Sequence, residues 1–289
     1  MNKISIAYKT KTNLIKEIEK DERIKVLEKK SFFQKLSFLK KEYADIYFHS
    51  GTLDDISLAN IKNAKKVIVN CKKLKDDILK KVDVLEENIK VIYPSVNLNY
   101  QKPKKVKESL CKKFDIDSTP KIIYFTAKNL KTSGVKDFFD IIVSLNSMNK
   151  QIIISSDKNQ ITSLKFLISK YNFGGEVLLL EDYENENELF LAADIFILPT
   201  YNKSFATNIL RAMYFKCAVL TTSINHASEL IDVFATMQKP DDPSTSFKVD
   251  ALLSREDDLK TIQKANRKIA KKYELSKNIN KLNTVLDNI

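Results

Sequence analysis

The chain has 289 residues, 43% of them hydrophobic and 30% charged, which is enough apolar side chain to bury a core and excludes wholesale disorder. Its four glycines, Gly51, Gly134, Gly174 and Gly175, show no G-x-G-x-x-G or P-loop spacing, so every phosphate loop of that kind is excluded. The net charge of +12 rests on 49 Lys and Arg against 37 Asp and Glu, and only four of the basic residues are arginine, the preferred bidentate reader of phosphates and guanines.

The length suggests two domains. In chain order, short β-branched runs predict strands at Ile4–Tyr8, Ile24–Leu27, Ala44–His49, Lys66–Asn70 and Ile89–Tyr93. Amphipathic stretches between them predict helices at Asn13–Lys20, Ser31–Lys41, Leu53–Asn60 and Lys72–Lys80. The polar, Pro-bearing stretch Ser95–Ser109, with Lys102, Lys104, Lys105 and Lys107, reads as a linker. A second set then runs strand Lys121–Thr126, helix Val135–Asn146, strand Gln151–Ser155, helix Gln160–Tyr171, strand Glu176–Leu180 and helix Asn185–Ala193. It continues with strand Ile195–Pro199, helix Ser204–Phe215, strand Ala218–Thr222 and helix Ala227–Val233, and residues 257–289 read as helical with a solvated basic face. Strand–helix–strand repetition of this kind predicts βαβ units around parallel sheets buried on both faces. The expected fold is α/β, with two Rossmann-like doubly wound domains, 1–98 and 99–289, the latter including terminal bracing helices. Ligands are expected beyond the carboxyl ends of the strands, in a cleft that the two domains face.

Cys71, Cys111 and Cys217 are far apart and odd in number, as in a reduced cytoplasmic protein, and with only His49 and His226 a metal site is not expected. No apolar run approaches the length of a membrane span, and the amino terminus reads as a strand and not a signal peptide. The basic excess is spread along the chain, with 21 basic and 14 acidic residues in positions 1–100. It reads as a solvated surface without a specific nucleic-acid partner; a peripheral contact with an anionic inner membrane face is compatible with it.

The most informative stretch runs from Ala193-Asp194-Ile195-Phe196-Ile197-Leu198-Pro199-Thr200 through Lys203-Ser204-Phe205-Ala206 to Leu210-Arg211-Ala212-Met213. A buried strand ends at Pro199, a short loop follows, and a helix is expected near Ser204 as N-cap. Free amides and the positive dipole end at such a helix start make an anion site without glycine.

This stretch resembles the donor-site signature of the retaining, metal-independent glycosyltransferases of family 4, the group 1 domain of the GT-B fold. The family pattern is a D-hydrophobic-P-S/T strand, then E-x-F-G, then L-E-A-M; Asp194, Pro199, Thr200, Phe205, Leu210, Ala212 and Met213 fit it. The segments Ala218–Thr222, Ala227–Ile231, Lys121–Phe139 and Lys65–Val96, with Val91-Ile92-Tyr93-Pro94-Ser95-Val96-Asn97 as hinge pattern, extend the resemblance in order over about residues 65–235.

The resemblance also locates departures. The family's two glutamates, with seven residues between them, fall at Lys203 and Arg211. In the family the first sits near the donor sugar and the second accepts hydrogen bonds from the ribose, and neither basic side chain has an acceptor to offer. The family's diphosphate-clamping Arg and Lys fall at Lys128 and Ser133; the following glycine survives as Gly134, and the glycine after Phe205 is Ala206. The first domain is short and lacks a glycine-rich loop after its first strand, where Lys9-Thr10-Lys11-Thr12-Asn13 stands instead. His49 ends a strand where the family often has a cleft-facing histidine, which makes it a weak catalytic candidate, although a lone strand-end histidine more often has a hydrogen-bonded structural role. These departures favour a non-catalytic binding or scaffold protein, with a protein partner or a nucleoside diphosphate, nucleotide sugar or other phosphate as ligand. The alternative is an active glycosyltransferase in envelope, polysaccharide or protein glycosylation.

Overall fold

The computed structural model describes residues 3–27, 42–173 and 175–289; the helix expected at 31–41 lies outside them. The chain divides into two compact units, Met1–Asn97 with Tyr273–Ile289, and Leu98–Lys272. Both are parallel α/β sheets.

The first unit carries strands β1 (Ile4–Tyr8), β2 (Ile24–Val26), β3 (Ile46–His49), β4 (Lys66–Val69) and β5 (Ile89–Val91), with helices α1 (Asn13–Ile18), α2 (Asp55–Asn63) and α3 (Lys72–Leu79) between them. The sheet order is β2-β1-β3-β4-β5, all parallel. The helix starts are written in the sequence: Thr12 accepts the Ile15 amide, Asp54 that of Ser57, and the Cys71 sulfur that of Leu74. The last helix, α11 (Leu275–Leu286), belongs to this unit although its sequence lies beyond the second. Leu282 and Leu286 pack with Ile6, Ile15, Ile24 and Ile68. Asn278 Nδ2 donates to Tyr93 O at 2.8 Å and Ser95 Oγ at 2.9 Å.

The second unit begins with a helix where a linker was expected: α4 spans Pro103–Phe114. Its lysine-rich surface hid a start at Pro103, a residue suited to the first helical turn, and a buried pair, Leu110 and Cys111. There follow β6 (Lys121–Thr126), α5 (Val135–Val143), β7 (Lys150–Ser156), α6 (Lys158–Ile168), β8 (Val177–Glu181), α7 (Glu186–Ala192), β9 (Ile195–Leu198), α8 (Thr207–Tyr214) and β10 (Ala218–Thr222). The expected helix at Ala227–Val233 is instead a 3-10 turn, His226–Leu230, with a second at Val233–Ala235. A two-residue strand β11 (Thr236–Met237) and helix α9 (Ser244–Ser254) were not foreseen; α10 (Glu256–Ala270) closes the unit. The sheet order is β11-β10-β9-β6-β7-β8, the Rossmann order, whose direction reverses between β6 and β9. Phe125, Phe138, Phe139, Phe190, Phe196 and Phe215 are fully buried in its core.

The β6–β9 ladder is short, pairing Ile123 with Ile195 and Tyr124 with Phe196. Asp194 reinforces it: its carboxylate accepts the Ile122 amide at 2.9 Å and Lys107 Nζ at 3.2 Å, while its own amide donates to Ile122 O at 2.9 Å. Replacing Asp194 with Ala orphans the Ile122 amide and leaves the half-buried Lys107 ammonium, still bonded to Pro120 O at 2.7 Å, without its carboxylate. We expect a loss of roughly 2–3 kcal/mol, read as a lower urea midpoint with the slope unchanged.

Candidate functional site

The reversal between β6 and β9 is where open parallel sheets bind ligands, because the two following loops leave in opposite directions. In the second unit these are residues 127–134 after β6 and residues 199–206 after β9. They are packed on one another. Gly134 has φ +80°, and a Cβ there would lie 1.8 Å from Pro199 O. Tyr201 N donates to Thr132 O at 3.3 Å and Tyr201 Oη to Asp137 Oδ1 at 2.9 Å.

Asn225, which the sequence reading passed over, fixes the second loop. It is fully buried; its Nδ2 donates to Asn202 O and Ser204 O at 2.9 and 2.8 Å, and its Oδ1 accepts the amides of Ala206 and Ala227 at 3.2 and 3.0 Å. His226 N adds a bond to Lys203 O at 2.8 Å. All four hydrogen-bonding positions of one amide side chain are used, which holds the loop in a single shape. A buried Asn beside a histidine gives no signal in sequence; only the fold brings it under residues 202–206.

The start of the following helix differs from expectation. The helix begins at Thr207 with Ala206 as N-cap and no side-chain cap bond. Ser204 is exposed and contributes only its carbonyl to Asn225. Ala206 sits at φ −80°, ordinary extended backbone, so alanine needs no strain where the resembled pattern has glycine. Phe205 is buried.

A cavity of about 400 Å³ opens beyond β6, β7 and β8, lined among others by Thr126, Lys128, Asp157, Tyr183, Glu186 and Asn208. The Lys128 side chain is exposed, and no ion pair among the described residues engages it. Ser133 lies outside that lining and is 6% exposed. Asn208 Nδ2 donates to Thr126 O at 3.4 Å. Asp157 is committed to capping α6 through Gln160 N. Burial and a hydrogen bond to Glu188 push the Tyr183 phenol up to about 12.

The two positions at which the resembled pattern has glutamates differ in environment. Lys203 is exposed. Arg211 is half-buried and engaged: Nη1 meets Glu186 Oε2 at 2.7 Å, Nε donates to Asn187 Oδ1 at 2.8 Å, and the guanidinium lies 4.8 Å from the Phe190 ring centre.

In the first unit the reversal falls between β1 and β3. His49 ends β3, 2% exposed, its ring stacked on Tyr47 at 5.9 Å between centroids. Neither ring nitrogen has a hydrogen-bond partner of normal geometry among the described residues, although the Gly51 backbone acts on the ring as a weak one. Burial, then the charge of Lys9, lowers its pKa to about 4 against weaker pulls from Asp54 and the Gly51 backbone. It is therefore neutral at pH 7.

Among the described residues no group of His, Cys, Asp and Glu can hold a metal ion, and no helix is long and apolar enough to cross a membrane. The three cysteines are buried, and no disulfide links them.

Two parallel-sheet α/β units of these strand orders make the fold that of the GT-B glycosyltransferases. The family described as glycosyl transferases group 1 matches residues 106–281, and the chain belongs to it. Over 155 residues it is 29% identical to the Campylobacter jejuni N,N'-diacetylbacillosaminyl-diphospho-undecaprenol alpha-1,3-N-acetylgalactosaminyltransferase, covering 51% of this chain and 40% of that enzyme. Among solved structures it superposes on Anabaena HepE in complex with UDP with a TM-score of 0.75 at 14% identity, over 84% of this chain and 72% of that one. A Rickettsia africae glycosyltransferase superposes at 0.73 with 16% identity, over 99% and 98% of the two chains. WaaG, a glycosyltransferase involved in lipopolysaccharide biosynthesis, superposes at 0.71 with 13% identity, over 96% and 98%. At these identities the superpositions establish the fold.

Two outcomes test the geometry. Gly134→Ala forces a left-handed side chain into the Pro199 carbonyl and should cost roughly 3 kcal/mol or more in urea unfolding. For His49, the folded pKa lies below that of the unfolded chain, so protons favour unfolding. Stability should fall by roughly 2–3 kcal/mol as pH drops from about 6.5 to 4, and His49→Phe should flatten that part of the curve.

Proposed function

We propose that the chain is a glycosyltransferase-like protein that binds a nucleoside diphosphate or nucleotide sugar in its second unit without transferring the sugar. One observation carries this reading: the positions where the family pattern has two glutamates hold Lys203 and Arg211, and the second guanidinium is spent on Glu186 and Asn187. Cations have no lone pair for a sugar or ribose hydroxyl. Binding is supported by the cavity beyond β6, β7 and β8, by Lys128 in its lining, and by structural neighbours solved with UDP and with UDP-glucose. Loss of the second clamp cation at Ser133 argues against stabilising a departing diphosphate. Such a protein would work as a scaffold for a protein partner in the cytoplasm, with its lysine surface able to meet an anionic membrane face.

The second reading is active transfer in glycan assembly. The tight Gly134–Pro199 packing and the Asn225-locked loop favour it, because they preserve the frame that holds a donor. The Campylobacter relative, of which the chain spans 40%, is named for such a reaction.

A thermal-shift panel with UDP, ADP and GDP, combined with an assay for nucleotide-sugar hydrolysis, separates the two. We expect one nucleoside diphosphate at about 100 times its Kd to raise the melting temperature by a few degrees, and turnover to stay at background. Turnover abolished by Lys128→Ala would establish transfer instead. No shift with any nucleotide would overturn binding.

A further inference from the structure

We propose that Glu186 recognises the ribose hydroxyls of the bound nucleotide and that Arg211 is its positioning residue. This rests on the nucleotide reading of the cavity. Glu186 opens α7, just beyond the carboxyl end of β8, and lines the cavity. In doubly wound sheets an acidic side chain beyond a strand end is a recurrent acceptor for ribose hydroxyls. One carboxylate oxygen, Oε2, is held by Arg211 Nη1 at 2.7 Å. The other, Oε1, accepts no hydrogen bond from the described residues.

The arginine is itself immobilised by Asn187 at 2.8 Å and by the Phe190 ring at 4.8 Å. Glu186 is thereby oriented before any ligand arrives, which lowers the entropy cost of using its open oxygen. The other carboxylates of the lining are worse placed. Asp157 caps α6, and Asp182 is exposed without an ion pair among the described residues to hold it. A carboxylate only accepts hydrogen bonds, so its ligand must donate, as adjacent hydroxyls do. Lys128, in the same lining, suits the anionic end of such a molecule. The cavity thus has an acceptor side on β8–α7 and a donor side after β6. That polarity matches a nucleoside diphosphate.

The test is calorimetric titration of the full chain with UDP and with its 2′,3′-dideoxy analogue. Wild type should prefer UDP by roughly tenfold or more, the size of a hydrogen bond to a charged group. Glu186→Ala should bind both alike at the wild-type affinity for the dideoxy compound, which also shows that it is folded. Glu186→Gln, with a neutral acceptor, should retain part of the preference. Arg211→Met should lower the preference several-fold while leaving dideoxy binding intact, an outcome that a merely structural arginine would not produce. Full wild-type preference in Glu186→Ala, or equal binding of both compounds by wild type, would overturn this assignment and leave the nucleotide reading standing. No binding of either compound by wild type would remove both.

Discussion

The arrangement of the second unit depends on one carboxylate. Asp194 stands at the amino end of the seam in this sheet where neighbouring strands diverge in connection, and β6 and β9 share a short ladder there. By taking the Ile122 amide and Lys107 Nζ it fixes the register of the two strands. Whatever that register is, it is transmitted along the strands to the opposite end, where the loops after Thr126 and Leu198 begin. Gly134 can meet Pro199 only if both strands end at the right height.

The first unit uses the same device. Asp45 precedes β3 as Asp194 precedes β9, and it accepts the Ser5 amide at 2.8 Å and the Ser5 hydroxyl at 2.6 Å across the reversal to β1. Burial works to raise the Asp45 carboxyl, but hydrogen bonds from Lys65 and Ser5 outweigh it and hold it at about 2. The local sequences are alike, Ala44-Asp45-Ile46 and Ala193-Asp194-Ile195. Each reversal thus has a charged clamp at its base and connecting loops at its top. His49 and Lys9 stand at one top, Lys128 and the Pro199 loop at the other. In both units the charge sits at the opposite end of the strands from these loops and does its work through register.

Strands were the easiest elements to read, because a sheet covered on both faces demands continuous β-branched runs: Ile4–Tyr8, Lys121–Thr126 and Ala218–Thr222 begin and end where the runs do. What escaped was whatever lacked such a run. Helix α4 carries its buried stripe on only two residues among lysines, and β11 is two residues long. Among the candidate positions, Lys128, Gly134, Lys203 and Arg211 could be named from sequence because they fall in an ordered pattern. Asn225 and Glu186 could not, since each matters for what lies across space from it.

The sequence by itself determined the parallel α/β architecture and the family, and it places Lys203 and Arg211 where the resembled pattern has glutamates. These follow from local periodicity and from residue types at fixed spacing. The tertiary structure alone decided that Arg211 is not a free cation. Its guanidinium meets Glu186, 25 residues earlier on another helix, so the charge that sequence counts as reversed is compensated within hydrogen-bonding distance. Coulomb energy depends on separation in space, and no spacing along the chain reports it.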